Sequence, residues 1–271
     1  IGEGGGGAGG FRVYDGCSPA TPPLNAPAAV AVTAGSYPIA VGGGGAAQTF
    51  PGSTTAVCGA QGSSSNFGSI ASAGGGFGAL CGGASPPQPA GTGGSGGGGG
   101  RGNANFTDGG AGNTPPVAPP QGQNGGAGTP LGARAAPAPC PNRNGGGGGG
   151  AGQTGGSGDD YGAKYGGTGS YVCSANFFGP PGGNYGTPGP VGTARYFSGG
   201  GGGAGQLVHP EGQAGGAGGG TDGRNSGGQA CNATVNTGGG GGAASNVPFP
   251  TNASGAGRGG SGLVVIKYKY Q

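Results

Sequence analysis

The stretch GTGGSGGGGGRG, residues 91–102, is almost bare backbone, and runs of this kind decide the fold of the chain. Glycine makes up 85 of the 271 residues, and uninterrupted runs recur from end to end, at residues 4–7, 42–45, 145–150, 199–203 and 238–242. Helices are excluded, because each interior glycine costs ~1 kcal/mol relative to alanine and no segment has a 3.6-residue apolar period. The runs are also not collagen-like, since glycine does not recur at every third position.

The glycine runs are expected to form polyglycine-II rods, with the three-residue turn and ~3.1 Å rise of polyproline II. Such a rod satisfies none of its own backbone groups, so it must bond to neighbouring rods. Only glycine lets rods approach closely on every side. The predicted fold is therefore a single domain over residues 1–271, mostly irregular, built as a rod bundle with a few short β-strands and no α-helix. The alternative is that the runs are flexible linkers.

Three stretches have the composition of β-strands: residues 29–32, 36–41 and 263–270. The last, LVVIKYKY, alternates most clearly between two faces. It is the predicted subunit-joining strand, whose apolar and aromatic residues are Leu263, Val264, Val265, Ile266, Tyr268 and Tyr270.

Cysteine usage indicates an oxidising compartment. Six widely spaced cysteines are candidates for a disulfide framework that staples the bundle: Cys17, Cys58, Cys81, Cys140, Cys173 and Cys231. Three acceptor triplets permit N-glycosylation, at Asn105, Asn232 and Asn252. The chain begins at Ile1 and contains no methionine, so either a leading segment was removed or the sequence is a fragment. We expect that a secretion signal has been removed and that the protein is extracellular.

The sequence contains few residues or motifs that could support catalysis or bind a cofactor. His209 is the single histidine, and no motif marks a nucleophile beside it. Matches to GxGxxG do not lie between a strand and a helix, and the one calcium-type repeat, residues 155–160, lacks the tandem copies that a calcium β-roll needs. We expect no enzyme activity, cofactor or metal. The net charge of +3 is scattered, which argues against a nucleic-acid partner, and no apolar run reaches membrane-spanning length.

Three segments resemble a known family. Residues 33–45, TAGSYPIAVGGGG, residues 62–76 and residues 259–268, GGSGLVVIKY, are similar in order and spacing to glycine-rich domains of phage tail-fibre adhesins and bacterial surface proteins. The resemblance implies a polyglycine-II bundle with receptor-contacting loops at one end. That family usually opens with an alternating apolar strand, of which only residues 1–3 remain here. The strand at 263–270 would then lack a partner in its own chain and could pair with another subunit; the alternative is pairing with 29–32 or 36–41.

Two main functions follow as expectations. The first is a secreted structural subunit of an extracellular filament, surface appendage or matrix, which assembles with itself by strand addition. The second is an adhesin at a viral or phage fibre tip, on the virion surface, that binds a cell-surface glycan or protein receptor. An ice-binding protein ranks third. Loop aromatics would carry adhesin contacts unless they only cap rod ends: Tyr161, Tyr165, Tyr171, Phe177, Phe178 and Tyr185.

Overall fold

The computed structural model describes most of the chain and places no helix in the part that it describes. The described residues are 3–14, 29–47, 59–80, 88–101, 107–130, 144–159, 164–172, 185–205, 213–225, 229–245 and 255–268. Within them, regular secondary structure is limited to six short strands: β1 (Ile39–Ala40), β2 (Ser65–Phe67), β3 (Ile70–Ser72), β4 (Ser170–Tyr171), β5 (Thr187–Pro188) and β6 (Arg195–Phe197). The prediction of a mostly irregular fold with a few short strands is confirmed.

The strands form two small antiparallel sheets, ordered β1-β2-β3 and β4-β6-β5. In the first sheet, the turn between β2 and β3 contains Gly68 at φ 55°, a left-handed conformation that favours glycine. In the second, Tyr171 lies opposite Tyr196 and their ring centroids are 4.9 Å apart. Each sheet lies beside glycine-rich segments and extends them at their ends.

The strand predictions were only partly right. The stretch 36–41 contains β1, which is shorter than predicted, whereas 29–32 forms no strand. Residues 263–268 also form no strand, and 269–270 lie outside the described residues. A strand requires a partner for its N–H and C=O groups, and no backbone hydrogen bond from a described residue reaches 29–32 or 263–266. The suggested pairing of the C-terminal strand with 29–32 or 36–41 is therefore not formed by residues 263–266.

Extended glycine-rich segments, laid side by side, form the body of the molecule. In the central segment, residues 3–10, every third N–H group donates to the same neighbouring segment. With N···O distances from 2.8 to 3.3 Å, the bonds are Gly4 to Ala79, Gly7 to Gly76 and Gly10 to Ala73; Gly5 to Gly146 and Ala8 to Gly149; Gly6 to Gly241 and Gly9 to Gly238. The direction of the N–H groups thus repeats every three residues.

The segment 144–151 follows the same rule. Three of its N–H groups donate to segment 198–204, through the bonds Gly145 to Ala204, Gly148 to Gly201 and Ala151 to Ser198. Two others donate to segment 93–100, through the bonds Gly146 to Gly99 and Gly149 to Gly96. Hydrogen bonds therefore run sideways through the bundle in several directions, unlike those of a sheet, which lie in one surface.

The interior of the bundle is made of backbone. A Cβ atom built on Gly5, Gly148 or Gly201 would come closer than 3.0 Å to a neighbouring carbonyl oxygen, so these positions admit no side chain without displacement of backbone. Few large side chains are fully buried, the largest being Leu80, Gln121, Glu3 and Thr129. Stability must come mainly from close backbone contact and saturated hydrogen bonding.

Candidate assembly surface

Six extended segments surround a channel of about 440 Å³ beside the central segment. The ring consists of residues 3–10, 73–79, 59–63, 42–46, 255–262 and 237–245. Backbone hydrogen bonds join each segment to the next around the ring: Gly7 to Gly76, Gly62 to Gly75, Ser63 to Gly43, Gly262 to Gly42, Gly260 to Gly239 and Gly6 to Gly241. The channel is therefore a built feature, with a wall of backbone on every side.

The glycines of the ring differ in the room that they leave for a side chain. A Cβ atom on Gly9 would lie no closer than 3.6 Å to any neighbour, and one on Gly62 would lie 3.3 Å or more from the two adjacent segments. Gly6 and Gly9 are half-buried, although they belong to the central segment. A Cβ atom on Gly43 would meet only the Ser63 hydroxyl, at 3.9 Å, and Gly43 is exposed although it borders the channel.

Apolar side chains line one end of the channel, here called the mouth. It is bordered by Phe11, Val13, Val30 and Val32 and by the C-terminal residues 263–268. Val30 and Val32 are each 53% exposed. Grouped exposed apolar side chains at a concave site are typical of a surface that binds a partner.

The C-terminal residues leave the bundle at this mouth. The N–H group of Gly262 donates to the Gly42 carbonyl at 2.9 Å, and beyond it the main chain of residues 263–266 makes no hydrogen bond to the described residues. Val265, Ile266 and Tyr268 are 41%, 48% and 78% exposed. The structure thus presents residues 263–268 as an extended apolar edge. Tyr270 lies outside the described residues.

The aromatic residues proposed as ligand contacts do not act as one described cluster. Tyr171 packs against Tyr196 within the second sheet. The pKa of Tyr196 is raised, mainly because its side chain is buried and secondly because Tyr171 lies beside it. Tyr165 and Tyr185 are 47% and 44% exposed. Tyr161, Phe177 and Phe178 lie outside the described residues.

Of the other predicted sites, the structure describes Cys231 and Asn232. Cys231 is exposed and free, so it does not form the predicted staple in this structure. The Asn232 side chain is exposed, and its Oδ1 accepts the Arg258 N–H at 2.9 Å. The remaining candidates lie outside the described residues: Cys17, Cys58, Cys81, Cys140, Cys173, Asn105 and Asn252.

Two buried polar side chains escaped sequence reasoning. The Gln121 side chain joins two segments, since Oε1 accepts the Ala73 N–H and Nε2 donates to the Pro115 carbonyl, both at 2.8 Å. Glu3 is fully buried, its carboxylate oxygens have no hydrogen-bond partner among the described residues, and burial raises its pKa well above the ordinary value. Neither residue belongs to a motif, and only the packing of the bundle reveals its burial.

Groups suited to metal binding or acid–base chemistry are sparse in the described part of the chain. Asp159 forms an ion pair with Lys164 at 2.6 Å, whereas Asp160 and His209 lie outside the described residues. No three His, Cys, Asp or Glu side chains gather there into a group that could hold a metal ion. The described residues also contain no helix with the length and apolarity needed to span a membrane.

A family model described as a glycine-rich domain matches residues 1–269. The chain belongs to the glycine-rich domain family. The family-level part of the resemblance is thereby confirmed over nearly the whole chain, and the association of this glycine-rich domain with phage tail fibres stays a prediction. Neither a curated protein nor a solved structure matches the chain.

Proposed function

We propose that the glycine-rich segments are polyglycine-II rods and that this protein is a structural subunit of an extracellular filament, surface appendage or matrix. The rod assignment is supported by the three-residue repeat of hydrogen-bond directions in residues 3–10 and 144–151, since polyproline II-type backbone has three residues per turn. Rods bonded to several neighbours at once would give a stiff body.

The observation that carries the structural role is the apolar edge at residues 263–268. Its exposed side chains and its lack of described backbone partners at 263–266 are the features through which unpaired edges recruit another chain. Subunits joined through this edge would form a polymer of stiff bodies, which suits a filament or matrix better than a soluble binding module.

Disulfides are part of this proposal. Ordering 85 glycines is entropically costly, and cross-links would offset the cost by restricting the unfolded chain. The cysteines outside the described residues are the candidates. Alkylation of the native protein with and without prior reduction, followed by mass measurement, counts the thiols that are paired.

Electron microscopy of the purified protein tests the filament. We expect wild-type protein to form filaments or networks and the substitution Ile266→Asp to abolish them, because a carboxylate would be placed in the joining surface. Val191→Asp is the matched control, since Val191 is 49% exposed away from the mouth, and it should assemble as wild type does. Discrete particles in the wild-type sample would contradict the proposal.

A second candidate, a receptor-binding adhesin, is favoured by the exposed rings of Tyr165 and Tyr185, because exposed tyrosines often carry recognition. It predicts that the non-assembling protein binds cell surfaces or immobilised glycans and that Tyr165→Ala or Tyr185→Ala weakens this binding. Binding by both variants as strong as that of the wild-type protein would contradict the adhesin role.

A further inference from the structure

The central segment has six sides, and hydrogen bonds account for five of them. From residue 4 to residue 10 its N–H groups point in three directions, towards segments 73–79, 144–151 and 237–245. Its carbonyl groups point in the three directions between those. Carbonyls of residues 5 and 8 accept from segment 93–100, and carbonyls of residues 3 and 6 accept from segment 198–204. Each of these two sets follows the same three-residue spacing.

The third set of carbonyls faces the channel. Gly4 and Gly7 carbonyls accept no hydrogen bond from the described residues, and the repeat directs both to the same side. That side lies between segments 73–79 and 237–245, where the ring encloses the channel and where Gly6 and Gly9 are half-buried. Buried carbonyls normally have a donor, so this side of the central segment is suited to one more extended strand.

We propose that the channel and its mouth form the acceptor site for the C-terminal segment, residues 263–268, of a second copy of this chain. This inference rests on the proposed assembly through the same segment and names the surface that receives it. The site would take one extended polypeptide strand, whose N–H groups donate to the carbonyls of Gly4 and Gly7.

The chemistry of the segment fits the site at both ends. Residues 263–266 are apolar and have main-chain N–H groups free of described partners, and the mouth is lined by valine and phenylalanine side chains. At Gly9 an added Cβ atom would make only ordinary contacts of 3.6–3.8 Å, whereas at Gly62 it would be tight, at 3.3 Å, so the side chains of Val264 and Ile266 would enter the channel next to Gly9. Burial of these side chains would supply the apolar driving force.

The length of the segment also fits. Six residues in an extended conformation span at most about 20–22 Å, and the eight residues of the central segment, at ~3.1 Å each, span about 25 Å. Within its own chain the segment continues outward from 255–262, which is itself part of the channel wall, and its last described residues are exposed.

Two half-defective variants of the full chain test the pairing. Val264→Asp/Ile266→Asp removes the apolar donor; both side chains also border the mouth, but the six glycine-rich wall segments are unchanged. Gly9→Leu fills the channel and leaves the donor intact. We expect each variant alone to sediment as a monomer in analytical ultracentrifugation. Mixed in equal amounts, they should form a 1:1 heterodimer and nothing larger, because only one intact donor meets one intact channel.

Controls separate a blocked channel from a damaged fold. Gly62→Leu enters the channel from another wall segment, 59–63, and should behave as Gly9→Leu does. Gly35 is exposed, lies outside the channel lining, and has no neighbour within 4 Å of an added Cβ, so Gly35→Leu should polymerise as wild type does. Thermal unfolding identifies any variant that has lost the fold. Folded Gly9→Leu and Gly62→Leu proteins that polymerise normally, while Val264→Asp/Ile266→Asp does not, would overturn the acceptor site and leave the filament proposal standing.

Two other outcomes also decide the matter. A mixture of the half-defective variants that stays monomeric would overturn the pairing of the C-terminal segment with the channel. A wild-type protein that is monomeric at all concentrations would overturn the filament proposal itself, and with it this inference.

Discussion

The central segment, residues 3–10, and the C-terminal segment, residues 263–268, differ in how far their backbone is hydrogen-bonded to other segments. Every N–H group from residue 3 to residue 11 donates to another segment, and five segments pack around the centre. Residues 263–266 make no described backbone bond; Leu263 and Val264 are half-buried, and Val265 and Ile266 are exposed. The difference is the side chain: bare backbone packs against its neighbours at backbone contact distance, whereas valine and isoleucine side chains keep other segments of the same chain from approaching that closely. Backbone packing therefore stabilises the fold, and the apolar edge is the segment through which we propose that subunits associate.

The largest expected effect comes from adding one methyl group to the bare interior. Gly201→Ala would place Cβ closer than 3.0 Å to the Gly241 carbonyl, with backbone that cannot rotate away. We expect a loss of about 3 kcal/mol or more in the free energy of unfolding, the upper end of overpacking costs, measured by chemical denaturation. Gly43→Ala is the control and should change stability by no more than ~1 kcal/mol. Equal effects at the two positions would contradict the role assigned to backbone packing.

The next effect concerns a polar side chain that joins bare segments. Gln121→Leu removes an acceptor from the Ala73 N–H and a donor from the Pro115 carbonyl. Leaving two such groups unpaired should cost about 2–4 kcal/mol, seen as a lower melting temperature. Gln88 is exposed, so Gln88→Leu should stay within ~0.5 kcal/mol of wild type. A Gln121→Leu protein as stable as this control would show that water replaces the lost contacts.

A smaller effect is the dependence of stability on pH at the start of the central segment. Burial holds the folded pKa of Glu3 well above its ordinary value of 4.5. The contribution of the Glu3 carboxyl group to the free energy of unfolding is therefore fully present below the unfolded pKa. It is lost as pH rises through the folded pKa, by up to ~1.4 kcal/mol per pH unit. Glu3→Gln lacks this loss, so its advantage over wild type in denaturation experiments should grow from pH 4 to pH 8. Parallel pH profiles of the two proteins would contradict the burial of the carboxyl group.

The smallest effect on stability is expected at the C-terminal edge. Tyr268 is 78% exposed, so Tyr268→Ser should alter the free energy of unfolding by no more than ~0.5 kcal/mol. Self-association should nevertheless weaken by roughly ten- to a hundredfold, since an interfacial aromatic contributes about 1.5–3 kcal/mol. Tyr165→Ser, an equally drastic change elsewhere on the surface, should leave the sedimentation profile unchanged. Unfolding of Tyr268→Ser at a lower temperature in the monomer would show that the edge supports the fold.

Sequence reasoning predicted the type of architecture better than its details. The glycine runs excluded helices, and the family was identified from three short segments, residues 33–45, 62–76 and 259–268. The strand at 36–41 was placed correctly but too long, and the strand at 29–32 was wrong. The strand at 263–270 stays a prediction, because its expected partner is another subunit. Both errors have one cause: β-branched composition indicates what a segment prefers, whereas strand formation depends on a partner that sequence does not supply.

The candidate site shows the same division. Composition identified residues 263–268 as an apolar edge, because alternating apolar residues at the end of a glycine run are visible in the sequence. The channel was not predictable, since its walls are six glycine-rich segments that look alike and are far apart along the chain. Gln121 and Glu3 were missed for a similar reason, as their burial depends on which segments surround them.

The sequence by itself determined that backbone would pack against backbone, because a chain with 85 glycines offers few side chains from which to build a core. It also determined which segment would carry exposed apolar residues. Only the tertiary structure decided which segments are neighbours, which side of the central segment faces the channel, and which glycines tolerate a side chain. Those properties depend on the order of segments around the bundle, and glycine, having no side chain, carries no information that could specify that order locally.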